Sequence, residues 1–167
     1  MTPSPSTSIS RIADAYRSHG HHVMRRAARL LGNEVDASEV VQEVFLSLID
    51  DPSQFGDRSS LLTWLYSATT NRCLNRIRDE RTRSRIVNER GASLPVASSA
   101  TQTEDVAELR GLLRSLPLHL AQVAVYYFGD EMTHEEIARV LGCSRRHVGH
   151  LVERLAVAVR SPEETPS

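Results

Sequence analysis

The stretch "MTHEEIARVLGCSRRHVGHLVERL", residues 132–155, reads as two capped helices set back to back. Thr133 and Glu136 have the spacing of a capping box, which makes Thr133 the expected N-cap of a short helix. Gly142 can take the left-handed conformation that ends it, and Ser144 is a good N-cap for the next. Ile137, Ala138, Leu141 and Val148, with Leu151 or Val152, fall at helical spacing and would fill the angle between the two helices. Such a pair is a helix-turn-helix, which offers the N-terminal residues of its second helix to the DNA major groove. The candidate DNA contacts are Ser144, Arg145, Arg146, His147 and His150, because arginine reaches phosphates or forks onto guanine edges. A hairpin that merely packs would leave Arg145 and Arg146 solvated. The agreement of caps, turn glycine and core spacing favours the DNA-binding reading. Glu135 and Glu136 lie in the first turn of the leading helix, where they suit the dipole.

Outward from this stretch the chain stays helical. There are no long alternating runs and no Asn-Gly pairs, and helical periodicity dominates, so an all-α fold is expected. Residues 9–85 form a first block and 106–160 a second; 86–105 read as a linker, because "GASLPVASSATQT" has small side chains and no charge. Residues 1–8 and 161–167 read as disordered tails. The architecture expected is two small helical domains on a flexible tether. In the first block one helix closes at Gly32-Asn33, and Asp36 to Glu39 has a capping-box pattern that opens the next. That second helix, "VDASEVVQEVFLSLID" (residues 35–50), gathers Glu39, Gln42 and Glu43 on one face. A longer helix, 61–85, carries Asn71, Asn75, Arg78, Thr82 and Arg85 in a stripe flanked by Arg72, Arg76 and Arg81. Amides and guanidinia arranged in this way suit a nucleic-acid backbone and some base edges; a solvated face with i,i+4 pairs is the plainer alternative. Trp64 has helical spacing with Leu61, Leu65 and Ala68 and is expected in the core.

Composition narrows the function. The chain has 167 residues and a net charge of −1, and all 20 of its basic residues are arginine. Positive charge is local: residues 66–90 hold seven arginines against Asp79, Glu80 and Glu89, as a nucleic-acid footprint requires. No apolar run is long enough to span a bilayer, and the first residues do not read as a secretory signal. Cys73 and Cys143 lie far apart and suggest reduced thiols in a cytoplasmic protein. His19, His21 and His22 sit at an expected helix break with no carboxylate or cysteine at ligand spacing, so neither metal nor cofactor is expected. No nucleophile–base–orienter set or phosphate-cradling glycine loop appears, and an enzyme is not expected.

These motifs together resemble the extracytoplasmic-function (ECF) sigma factors of bacterial RNA polymerase. "DASEVVQEVFLSL" is similar to the family's D-A-E-D-L-V-Q-E-V-F-L-x-L, and "TWLYSATTNRCLNRIR" resembles T-W-L-Y-x-I-A-R-N-x-x-x-D-x-x-R. "SLPLHLAQVAVYYFGDEMTHEEIARVLGCS" is similar to the opening of the second sigma domain. The resemblance implies that Glu39, Gln42 and Glu43 dock on the clamp helices of the polymerase's largest subunit, while Val40, Val41, Val44, Phe45 and Leu48 form the core. It also implies that Asn71, Arg72, Asn75, Arg76 and Arg78 meet the minus-ten promoter element, with a flipped base held by the loop 54–59. The helix-turn-helix would read the minus-thirty-five element as duplex, and an anti-sigma factor is an expected partner. Departures from the family pattern fall at Thr70 (an arginine position), Asn75 (aspartate), Ala121 (arginine) and Gly149 (a recognition-helix cation), which implies an atypical promoter. Two other readings remain open: a sigma-like mimic that sequesters an anti-sigma factor, and a helix-turn-helix regulator outside the sigma group.

Overall fold

The computed structural model describes residues 5–55, 60–89 and 104–161 of the chain. The regular elements in them are all helical, as expected: α1 (Pro5–Leu31), α2 (Glu34–Asp50), a 3-10 turn (Pro52–Phe55), α3 (Leu61–Glu89), α4 (Glu104–Ser115), α5 (Leu118–Ala124), a π-helical turn (Val125–Gly129), α6 (His134–Leu141) and α7 (Arg145–Arg160). Packing divides the chain into an N-terminal unit that ends at Arg110 and a C-terminal unit that starts at Gly111.

Several boundaries differ from the sequence reading, each for a local reason. α1 begins at Pro5 rather than Ile9; proline suits a first turn because its missing N–H is one the helix leaves unbonded. The same helix runs unbroken through residues 19–22, where a break was expected. A side chain at Gly20 would make ordinary contact with the Tyr16 ring at 3.6 Å, so this glycine is simply a tolerated helix-interior residue and not a stop. His21 and His22 are exposed along the helix. Gly32 does end α1, with φ +75°. Asn33 belongs to the next helix as its N-cap: its side-chain oxygen accepts the Asp36 N–H at 2.8 Å and its amide donates to the Asp36 carboxylate at 2.6 Å. The capping pair is therefore Asn33–Asp36, one turn earlier than the expected Asp36–Glu39. α3 continues to Glu89 and α4 opens at Glu104, so both ends of the expected 86–105 linker are helical. Residues 90–103 lie outside the described residues, as do 1–4 and 162–167 of the expected tails.

In the N-terminal unit α1, α2 and α3 pack pairwise. Ile12, Ala15, Val23, Ala27, Leu30 and Leu31 of α1 meet Ala37, Val40, Val41, Val44, Phe45 and Leu48 of α2, and Leu65, Cys73, Leu74 and Ile77 of α3 complete the core. The Tyr16 and Phe45 rings meet edge to face, with centroids 5.0 Å apart. Each large apolar side chain buried here stabilises the bundle by roughly 1.5–3 kcal/mol. Trp64 is only half-buried; its neighbour Leu65 takes the fully buried position, so the expected core tryptophan sits at the edge instead.

In the C-terminal unit α5 and α6 both pack on α7. Tyr126, Ile137, Ala138 and Val148 form the centre, with Leu141 and Val152 half-buried around them. Leu151 is buried as well, but of the two alternatives it is Val152 that packs against this centre. The π turn closes with the Asp130 N–H on the Val125 carbonyl at 3.0 Å, and Met132 N–H reaches the Tyr126 carbonyl at 3.0 Å. Glu131, between them, holds φ +53°, a left-handed conformation that costs a side-chain-bearing residue roughly 1–2 kcal/mol.

Candidate nucleic-acid and partner-docking faces

α2 presents two distinct sides. Val40, Val41, Val44, Phe45 and Leu48 are buried, as the sequence requires, while Glu39, Gln42 and Glu43 are exposed. The outward side also carries Val35, Leu46 and Ile49, which are 67 %, 57 % and 45 % exposed. Positions 35, 39, 42, 46 and 49 alternate in steps of four and three, the spacing of a seam made to meet another helix. Sequence reasoning named only the polar members of this side and left Val35, Leu46 and Ile49 without a role. The signal was present: 35, 46 and 49 fall outside the period of 37, 41, 44 and 48.

The acidic face and the arginine stripe meet. Arg76 Nη2 lies 2.5 Å from Glu39 Oε2, and its Nη1 donates to the Asp36 carbonyl at 3.2 Å. Arg72 Nη1 lies 3.4 Å from Glu43 Oε2. The two helices thereby frame a groove of about 280 Å³ lined by Val40, Glu43, Arg72, Asn75, Arg76 and Asp79. Ion pairs this exposed contribute about 1 kcal/mol or less each, so they hold the side chains in place without locking them. Asn75 is exposed, and Asn71 and Arg78 are half-buried. The side chains of Arg81, Thr82 and Arg85 lie outside the described residues, as do residues 56–59 of the expected base pocket. Gln54 of that loop folds back, its amide donating to the Ser47 carbonyl at 3.3 Å.

Thr70, which departs from the family pattern, is fully buried. Its hydroxyl donates to the Tyr66 carbonyl at 2.8 Å and accepts Arg26 Nε–H at 2.8 Å. The Arg26 guanidinium also stands 5.1 Å from the centre of the Tyr66 ring, a cation–π distance. Position 70 therefore faces α1, and its threonine ties α3 to that helix. Cys73, one turn further along, is buried; desolvation pushes its thiol up to about 12, against the weaker pull of Arg26 and Arg76. It is an inert core thiol.

In the C-terminal unit the expected caps all form. Thr133 Oγ1 accepts the Glu136 N–H at 3.3 Å while the Glu136 carboxylate accepts the Thr133 N–H at 2.8 Å. Hydrogen bonds from the Thr133 backbone and then its side chain hold the Glu136 carboxyl below the usual glutamate range. Gly142 turns left-handed at φ +66°, and Cys143 N–H closes on the Ala138 carbonyl at 3.0 Å. Ser144 Oγ accepts the His147 N–H at 3.1 Å, which leaves its O–H to donate to a phosphate. Arg145, Arg146, His147 and His150 are exposed at the start of α7. His150 Nδ1 stands 3.5 Å from Glu153 Oε2; Glu153, an acceptor suited to a cytosine amino group, is a member of this face that the sequence reading left out. Gly149 lies half-exposed among these residues, in mid-helix. Glycine there costs about 1 kcal/mol relative to alanine.

Among the described residues no helix is long and apolar enough to cross a membrane, and no group of three or more His, Cys, Asp or Glu could hold a metal ion.

A three-helix unit followed by a helix-turn-helix unit defines a class. Residues 15–83 match the family described as Sigma-70 region 2, and residues 112–156 match Sigma-70, region 4. The chain is 30% identical to the ECF RNA polymerase sigma factor SigE of Mycolicibacterium smegmatis over an alignment that covers 90% of this chain. The match spans 63% of that relative's length. This chain belongs to the ECF sigma factors. Two solved structures share the fold: sigma factor RpoE in complex with the anti-sigma factor NepR from Bartonella quintana (17% identity, TM-score 0.53, 89% of this chain and 94% of that one) and CnrH in complex with the cytosolic domain of CnrY (22% identity, TM-score 0.57, 96% and 94%).

Proposed function

We propose that this protein is a promoter-specificity subunit that binds core RNA polymerase through α2 and directs it to a two-part promoter. The observation that carries this reading is the exposed seam of α2. A polar centre (Glu39, Gln42, with Glu43 beside it) between apolar ends (Val35, Leu46, Ile49) suits a helical partner with basic residues, such as the clamp helices of the polymerase's largest subunit. α3 meets the minus-ten element with Asn71, Arg72, Asn75, Arg76 and Arg78, where amides hold unstacked bases and guanidinia reach phosphates. α7 reads the upstream element as duplex with Ser144, Arg145, Arg146, His147 and His150. The subunit performs no covalent chemistry of its own; polymerase supplies it. It acts in the cytoplasm, and an anti-sigma factor is its expected inhibitor, a reading supported by the similar fold of RpoE having been solved with the anti-sigma factor NepR.

A mimic that only sequesters an anti-sigma factor has no use for the exposed arginines of α7. A helix-turn-helix repressor has none for the α2 seam. Transcription by core polymerase from a randomised promoter library, with and without this protein, separates these readings. Transcripts sharing one upstream sequence are the expected result. None at all, with the polymerase active under another sigma factor, overturns the proposal.

A further inference from the structure

The glycines within or ending the described helices differ in what the fold asks of them. Gly142 is left-handed, and a side chain at Gly20 would make ordinary contact with the Tyr16 ring. At Gly149 the backbone is ordinary helix, and a side chain built there would meet nothing within 4 Å. The fold therefore gives no reason for a residue that weakens the helix. Its surroundings suggest one. Gly149 lies one turn beyond Arg145 and Arg146 and directly before His150, on the side of α7 away from buried Val148, Leu151 and Leu155. A cationic helix end with a bare backbone patch in its middle can lie deeper in a groove than one with a side chain at that place.

We propose that Gly149 is the point of closest approach between α7 and promoter DNA, and that its missing side chain determines which base pair is accepted beneath it. This rests on the reading of α7 as the duplex-reading helix. The group best suited to fill such a gap is one that needs volume and no hydrogen bond, and among base edges in the major groove that is the thymine methyl. The flanking Arg145, Arg146 and His150 supply the hydrogen bonds and charge; Gly149 supplies room. Gly111 provides an internal comparison, because a side chain there also meets nothing within 4 Å but the position lies on α4, outside the DNA-facing set.

The test uses the full chain with core polymerase and the promoter that the library yields, comparing Gly149→Ala, Gly149→Lys, Gly111→Ala and the double variant Arg145→Ala/Arg146→Ala. Both alanine-for-glycine variants should melt higher, by several degrees. Only Gly149→Ala should lose promoter affinity, roughly tenfold, and it should change base preference at a single upstream position. Replacing thymine by uracil at that position should weaken the wild type and leave Gly149→Ala unaffected. If Gly149→Ala binds like the wild type while the double-arginine variant fails, the inference is overturned and the reading of α7 survives. Tighter binding by Gly149→Lys at every sequence, with a steeper salt dependence, also overturns it, since the gap would then be a missing cation only. A melting temperature that falls in Gly149→Ala shows that the fold needs the glycine and likewise overturns the inference. If the double-arginine variant binds normally, α7 is not the reading helix and both fall together.

Discussion

The two arginine-bearing faces hold the same side chain in opposite states. On α3, Arg72 and Arg76 are engaged by Glu43 and Glu39 of α2. On α7, Arg145 and Arg146 are exposed and make no ion pair with a described residue. On the proposed reading, an α3 arginine would exchange a carboxylate for a phosphate on meeting DNA, a trade that is nearly balanced in water. An α7 arginine would give up only hydration and counterions. Arginine count is thus a poor measure of DNA affinity, because what each guanidinium already holds decides its net contribution.

The largest effect expected from this contrast is on duplex binding. Arg145→Ala/Arg146→Ala should lower promoter affinity by roughly ten- to a hundredfold and reduce the slope of log affinity against log salt by about two. Arg72→Ala/Arg76→Ala should cost less on the same promoter. Equal losses in a salt titration of both variants would break the comparison. Next in size is docking: Leu46→Glu should weaken core polymerase binding by about tenfold with an unchanged circular dichroism melt, since Leu46 is exposed. Gln42→Ala/Glu43→Ala should weaken it as well, and unaltered affinity in both would remove α2 from the interface. A smaller and opposite effect sharpens the electrostatic point. Glu39→Gln relieves Arg76 of its carboxylate, so full-length protein should bind a single-stranded minus-ten oligonucleotide about two- to fivefold more tightly. No gain would mean that the pair does not compete with phosphate.

Much of the C-terminal unit was legible because its instructions are local. Thr133, Glu136, Gly142 and Ser144 each act within a few residues, and all four do what their spacing indicates. The N-terminal unit was legible as three helices but less so at its surface. Whether Arg76 faces solvent or α2 depends on how two helices cross, and no window of sequence contains that. The same holds for Thr70: paired with Arg26, which lies 44 positions away, it becomes intelligible only when α1 and α3 are seen side by side. Gly20 misled because a glycine inside a helix weakens it by only about 1 kcal/mol, which the packing of α1 overrides. The seam at 35, 46 and 49 was readable in principle, because spacing alone separates it from the core.

Two stability measurements complete the comparison at its smallest scale, within the turn that leads to α6. Glu131→Gly should raise stability by about 1 kcal/mol, because glycine adopts the left-handed conformation without a steric cost; a denaturant midpoint lower than wild type would refute this. The Glu136 carboxyl is more acidic folded than unfolded, so the capping box contributes fully above the ordinary glutamate range. That contribution fades as pH falls through the depressed folded value. Glu136→Gln should therefore flatten the acid limb of a melting-temperature profile below the ordinary glutamate range of about pH 4, and an unchanged limb would show that other carboxylates set it.

The π turn at Val125–Gly129 restricts how this chain can vary in length. Each residue removed from a helix rotates everything after it by about 100°. Losing one of these five would let an ordinary helix form, yet it would swing the exit of the chain by more than a quarter-turn and pull Met132 N–H off the Tyr126 carbonyl. Thr133 would then no longer start the following helix in its present orientation. The bulge is a fixed spacer, so insertions and deletions that leave the protein working should be rare between residues 125 and 133.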